Sequence, residues 1–497
     1  MERAEAEAIH AQGGETVVAV LLALSARIEA QDAQIAKLAT RVEELERRLG
    51  RNSQNSSLPP SRDPPSAPGR RRAPGSGRKQ GGQPGHPGHG RPLQPLAKVD
   101  RLVERWPERC PCGHAFAERE REPDGNPVRH QVCELPPIAV ELIEHRLQRL
   151  RCPDCGRKTR AQLPADLPAG AFGPRLEAAI ATLSVRNRIS RRDLVELVEE
   201  LFGCSLSTGT VTAILTRTAA AVDPVYEQLL AQIRTAQAIN VDETGWRLQG
   251  SKRTLWGVLT PLAAVFRVAP DRHQREAKAL LGEGFRGIAC SDRWWACDHL
   301  APERRQLCWS HLVRDFTSHS EGLAAQKEFG ERGLQIAGRL FEAWQQFRES
   351  GDRSQQIERI SPLKHELRAL LEQAARKSSK TKYHRRFAKN LLKRWPALWT
   401  FSLAEGVEPT NNHAERGLRA AVIYRKLSLG SQSEEGEHMI ERLLSVSQTC
   451  RLQRRSLFAY LADVLNARIR GDPIPMLVLA RPRATERLPL RGKETSA

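Results

Sequence analysis

From Val17 to Leu49 the apolar positions advance in steps of four and three: Val17, Leu21, Leu24, Ile28, Ile35, Leu38, Val42, Leu45 and Leu49, with Gln31 the one polar interruption. A hydrophobic a/d repeat of this length is the signature of helices that wind around each other. Arg27 to Asp32 and Arg41 to Glu46 also have the g-to-e spacing that pairs charges between parallel helices. Residues 15–50 are therefore predicted to form a coiled coil and to make the chain at least a dimer. The alternative is an amphipathic helix packed on its own domain.

The periodicity stops at residue 51. Residues 51–100 hold 10 Pro and 8 Gly, with nine basic residues against two acidic, so this stretch cannot bury a core and reads as a flexible cationic linker. Residues 101–165 follow with Cys110-Pro-Cys112-Gly-His114 and, further on, Cys152-Pro-Asp-Cys155-Gly, separated by strand-like text. Paired thiolates aimed by tight turns suit structural Zn2+. Cys110, Cys112, Cys152 and Cys155 are the expected ligands; the first pair is one residue short of CxxC, so His114 or Cys133 remains an alternative.

Helical text returns over residues 173–230. A helix from Arg191 to Leu201 is predicted to end at Gly203, and Ser207 to cap a second helix starting near Thr208, the pattern of a helix-turn-helix. Two packed helices out of reach of DNA are the competing reading, because the second carries only Arg217 as a basic group. Beyond Pro224 strands alternate with helices: AINVDETGW ending at Asp242, RTLWGVLTP, AAVFRVAP, then the helical DRHQREAKALLG, then GIACSD ending at Asp292, and RRQLCWSHLVRDF as a strand running into a helix. That order suits a ribonuclease-H-like core over residues 235–450, in which the first and fourth strands are neighbours. Between Asp292 and Glu415 lie 122 residues, so a helical insertion is predicted at about 315–400. Residues 451–497 read as a C-terminal helix and basic tail, which completes a multidomain α+β chain.

Charge narrows the function. A net charge of +20 over 497 residues points to a polyanion, most often nucleic acid, with a ribosomal or membrane-surface role as the other reading. No apolar run approaches the roughly 20 residues of a membrane helix. The start, MERAEAEAIH, lacks a basic region, so no signal peptide is read and a cytoplasmic location is expected. Ten cysteines in a chain of this size do not make a disulfide scaffold.

Carboxylates in a DNA-binding protein repel the DNA unless a metal intervenes. Three of them can hold two Mg2+ (or Mn2+) ions about 3.5 to 4 Å apart for phosphodiester chemistry. Asp242 and Asp292 stand at the ends of strands expected to be adjacent, and Glu415 lies on a later helix. The bland reading of Glu415 is a surface ion pair with Arg419 one turn on, worth about 0.3 to 0.5 kcal/mol. Glu243, next to Asp242, should face the other side of its strand and is read as structural. Asp298 is a rival to Asp292, though it lies beyond the strand. His311 in the Cys308-x-x-His311 motif is a candidate phosphate contact. Asn411 and Asn412 are expected to cap the Glu415 helix, while Arg416, Arg419, Arg425 and Lys426 lie where phosphates would approach. Arg376 to Arg394 holds nine basic residues and no acid, among them Lys377, Lys380, Lys382, Arg385, Arg386, Lys389 and Lys393. It reads as a phosphate-tracking surface.

VDETGW, GIACSD, CWSHLVRDF and TNNHAERGLRAAVIYRK, together with NSQNSSLPPS, GGQPGHPGH and the cysteine knuckles, resemble the insertion sequence 66 family of DDE transposases over most of the chain. The resemblance implies that Asp242, Asp292 and Glu415 are a triad that cuts transposon ends and joins the freed 3′ hydroxyls to target DNA, possible accessory proteins included among its partners. The family pattern has an Asp before the two asparagines, where this chain has Thr410. Two alternatives stay open: a DNA-binding protein with an inactive core, and a nuclease without strand transfer.

Overall fold

The computed structural model describes residues 5, 8, 10–49, 92–168, 170–322, 324–376 and 382–477. Most of the predicted linker (50–91), the end of the C-terminal tail (478–497), and Lys377 and Lys380 of the basic run lie outside the described residues. Helix α1 (Gly14–Leu49) covers the heptad text. Along it Leu21, Leu24, Ile28, Ile35, Leu38 and Val42 are exposed.

The cysteine region carries little regular structure. Strands β1 (Arg149–Arg151) and β2 (Lys158–Arg160) pair antiparallel around the Cys152–Cys155 turn, while the strand-like text upstream of β1 forms no strand. Its apolar residues, Val128, Leu135 and Leu142 among them, are exposed. Alternation alone does not make a strand where no partner face exists to be covered.

Helices α2 (Pro174–Val185), α3 (Arg191–Phe202), α4 (Thr208–Ala221) and α5 (Asp223–Arg234) come next. The signals that end them are local. Ser190 and Ser207 accept from the backbone N–H of Asp193 and Thr210, and Gly203 closes α3 at φ 61°, a conformation that favours glycine.

A five-stranded sheet follows, built from β3 (Ala238–Leu248), β4 (Ser251–Leu259), β5 (Ala264–Ala269), β6 (Ile288–Ser291) and β7 (Arg305–Leu307). Its order is β5-β4-β3-β6-β7. The first three strands are antiparallel, and β6 and β7 add parallel to β3. A two-residue turn, Gln249-Gly250, both at positive φ, joins β3 to β4, the geometry that matches strand twist. Helix α6 (Gln274–Leu281) crosses from β5 to β6. Asp242 is not at the end of its strand: β3 runs on to Leu248 and still pairs Asp242 with Gly257 of β4. What ends near it is the parallel pairing, whose last partners are Asn240 and Cys290.

Helix α7 (Trp309–Ser320) leads from β7 into α8 (Ala324–Ser350), α9 (Arg353–Ala375) and α10 (Lys382–Lys393). These close on their own apolar core, in which Leu307, Trp309, Leu312 and Phe316 meet Leu340, Leu367, Leu371 and Phe401. The chain then returns in α11 (Asn412–Ser428), α12 (Glu434–Leu452) and α13 (Leu457–Arg470). These pack with α2–α5 and the sheet in the larger core. A mixed helical and sheet architecture is thus present, with the helical insertion as a second packed unit. Among the described residues no helix is long and apolar enough to cross a membrane.

Candidate active site

Parallel strands converge their carboxyl ends on one edge, where loops are free to carry chemistry. Asp242 lies two residues past the last β3–β6 pair, and Asp292 directly follows β6. Glu415 comes from the first turn of α11. That helix lies close on the sheet because Gly417 meets the Leu259 side chain at a distance no Cβ would allow.

Asp242 senses both of the other acids. Burial first, then the charges of Glu243 and Asp292, push the Asp242 carboxyl well above the usual carboxylate range, and Glu415 adds to this. Glu243 is not simply turned away as strand alternation suggests. Burial and then the Asp292 charge push it up to about 7, against an ion pair with Arg272 at 2.5 Å. Asp292 reaches both neighbours because it stands beyond the end of its strand rather than on one face of the sheet. Mutual repulsion among partly buried carboxylates is a cost to the fold that a functional site retains.

Glu415 does not pair with Arg419. Its carboxylate accepts from Arg314 at 3.1 Å and lies 3.8 Å from Nε2 of His311, both on α7. Burial, then the Arg314 charge, lowers the His311 pKa, and its Nδ1 is buried without a hydrogen-bond partner. Arg419 is exposed on α11, as are Arg416 and Lys426. Arg425 is spent internally, donating to Thr244 Oγ1 at 3.2 Å and to the Gly245 carbonyl.

Asn411 does something other than cap. Its side chain makes no capping bond. Instead it is fully buried, donates Nδ2 to the Val241 carbonyl at 2.7 Å and accepts from Asn240 Nδ2 at 2.9 Å, while its backbone N–H points at Cys308 Sγ, 3.1 Å away. Asn412 continues the seam by accepting from Ser310 Oγ at 3.3 Å. Asn411 therefore joins β3, α7 and α11 at one point, which sets Glu415 against Asp242. Cys308 is buried, and burial raises its thiol pKa, so it is a packing partner of that joint.

Asp298, the rival acid, is occupied. It bridges the buried Arg305 and Arg394, with Arg394 Nε at 2.9 Å. Burial works against its charge, but the bonds from Arg394 and Arg305 outweigh it and hold its pKa below the usual value. Arg394 thereby leaves the basic run. Within α10, Arg386 and Lys389 are exposed and Arg385 is half-buried; Lys382 starts the helix.

Sequence reading passed over Arg314, Asp315 and Arg293. Arg293 binds Asp315 at 3.0 Å, near enough to Asp292 that the Asp292 charge acts on Asp315. The spacing His311, Arg314, Asp315 on one helix face was the available signal.

Among the described residues, no group of three or more His, Cys, Asp or Glu is close enough to hold a metal ion. Among the acids, Glu415 faces Arg314. For the thiols, all four free, Cys110 is hydrogen-bonded to Cys112 and Cys152 to Cys155, but the pairs are not gathered into one set of four. Backbone N–H groups, then the partner thiol, lower the pKa of Cys112 and of Cys152.

Residues 169–439 match the model of the family described as transposase IS66, more than half of the chain, and residues 3–92 match a family of unknown function (DUF6444). Among curated proteins the chain is 26% identical over 441 residues to the uncharacterized protein y4hP of Sinorhizobium fredii, spanning 80% of this chain and 76% of that one. It is 27% identical over 302 residues to the uncharacterized protein y4jD of the same organism, covering 54% and 58% respectively.

Proposed function

Because this chain belongs to the IS66 transposase family, we propose that it cuts the ends of an insertion sequence and joins the freed 3′ hydroxyls to target DNA, with Asp242, Asp292 and Glu415 as its catalytic carboxylates. The observation that carries this is the placement of three acids on β3, directly after β6 and in the first turn of α11, near enough that the charges of Asp292 and Glu415 act on Asp242. The strand order β5-β4-β3-β6-β7 supports reading the sheet as a ribonuclease-H-like core.

The donor chemistry, all oxygen and hard, suits Mg2+ or Mn2+, and the three carboxylates would gather around an ion only once Glu415 leaves Arg314. Bound there, divalent ions supply Lewis-acid activation of the attacking oxygen and stabilise the leaving one. The residues themselves do the rest. Asp242 and Asp292 orient the centre from the sheet edge. Arg314 releases Glu415 by exchanging its carboxylate for a phosphate oxygen, a charge-for-charge swap that costs little. His311, whose pKa is lowered by burial and by Arg314, offers a ring N–H donor to that phosphate. Arg416, Arg419 and Lys426 on α11, with Arg385, Arg386, Lys389 and Lys382 on α10, hold the flanking backbone. Purified protein incubated with end and target duplexes in Mg2+ is expected to yield joined strands; end binding with every strand left intact would replace this reading with that of an inactive DNA-binding protein.

Two further assignments belong with it. The exposed apolar stripe of α1 supports parallel self-association as a coiled coil. The full chain is expected to sediment as a dimer or larger, and Ile28→Asp with Ile35→Asp to shift it to a smaller species. A wild-type monomer excludes the coil. The two thiol pairs, in which Cys112 and Cys152 have lowered pKa values, support structural Zn2+ at Cys110, Cys112, Cys152 and Cys155, provided the two turns come together on binding. Metal analysis of the purified protein should find one zinc per chain, lost in the Cys152→Ser, Cys155→Ser variant. Equal zinc in that variant rules the site out. The helices α3 and α4 supply the candidate end-binding module.

A further inference from the structure

The Trp-rich turn after Asp292 is not used by the chemistry above. Trp294 is tied to the acidic centre, its backbone N–H donating to Asp292 Oδ1 at 2.9 Å. Its ring carries the Arg272 guanidinium at 3.9 Å and its indole N–H donates to the Arg272 carbonyl at 3.2 Å. Trp295 comes next, 41% exposed, with His273 at 5.5 Å and Trp294 at 6.0 Å between ring centroids.

The turn beneath these rings is rigid. Ala296 and Cys297 are buried, and Asp298 is anchored by Arg305 and Arg394. A surface tryptophan by itself means little, since much of any protein surface is apolar. Here the exposed ring is held on an anchored turn, beside the His273 and Trp294 rings, three residues from a carboxylate of the acidic centre. Every nucleobase has a π-face, so a pre-placed indole with a guanidinium nearby recognises an unstacked base whatever its identity. Pre-organisation removes most of the ordering cost of such a contact.

We propose that Trp295, backed by Trp294 and Arg272, is a stacking platform for an unpaired nucleotide at the DNA end being processed. The inference rests on the DNA-processing reading above and adds to it a requirement that the end be locally unpaired. Trp295 is then a positioning residue that holds the end while the acidic centre acts on the adjacent phosphate.

The test uses the full-length protein without added Mg2+ or Mn2+, its zinc retained, and two duplexes of the same sequence, one blunt and one with a three-nucleotide 3′ overhang ending in 2-aminopurine. Wild type is expected to bind the overhang duplex more tightly by about ten-fold or more and to quench the 2-aminopurine emission. Trp295→Ala should bind both duplexes alike and leave the emission unchanged, with Trp295→Phe retaining most of both effects. Overhang preference and quenching that persist in Trp295→Ala overturn the proposal and leave the transposase reading standing. Failure of wild type to bind either duplex overturns both.

Discussion

Asp242→Asn is expected to lower strand cleavage by about 10³-fold or more, the loss that follows when several kcal/mol of transition-state stabilisation is removed. DNA affinity measured without divalent metal should stay equal or rise, because a carboxylate facing the phosphates is gone. Stability should rise too. The Asp242 carboxyl is held above its ordinary range by burial and by Glu243 and Asp292, so the neutral amide relieves a cost the folded state now carries. A variant that cleaves within ten-fold of wild type would sink the catalytic assignment. Glu415→Gln should match it in cleavage but not in stability, since Glu415 already has Arg314 as a partner. Thermal melting and gel-resolved product formation on the same two variants separate these effects.

The second large effect is expected at Asn411. Asn411→Ala leaves the Val241 carbonyl and the Asn240 amide without their partner, and each buried unpaired group costs about 1–3 kcal/mol. The unfolding midpoint should therefore fall clearly, and cleavage by surviving folded protein should drop on the order of 100-fold, because a shift of about 1 Å in a reacting group has that effect. Asn411→Asp keeps the acceptor for Asn240 but sets a carboxylate oxygen against the Val241 carbonyl, so it should be no better than alanine. Unchanged melting and unchanged cleavage in Asn411→Ala would show that the joint between β3, α7 and α11 does not position Glu415.

Much of this protein is legible locally. The helix ends at Gly203 and Ser207 follow from capping chemistry within three or four residues. The order of strands and helices from Ala238 to Ser320 follows from apolar periodicity, as does the 36-residue helix over the heptad text. The placement of two acids was also readable, Asp292 just past the end of its strand and Glu415 on a later helix, whereas Asp242 lies inside β3 and not at its end. Where periodicity misled, as in the text before β1, an alternating pattern had no face to pair with.

Only the tertiary structure decided which charges meet. Glu415 turns to Arg314, 101 residues earlier in the chain, and not to Arg419 one turn away. Asp298 is claimed by Arg394, 96 residues on, which removes one rival acid and one presumed phosphate contact together. Asn411 bonds across to β3 over a separation of 170 residues where a helix cap was expected. Periodicity and capping are set by neighbours a few residues apart, so the chain encodes them directly. A carboxylate's partner is whichever cation the packed sheet and helices bring within about 4 Å, and that choice exists only once the two cores have closed.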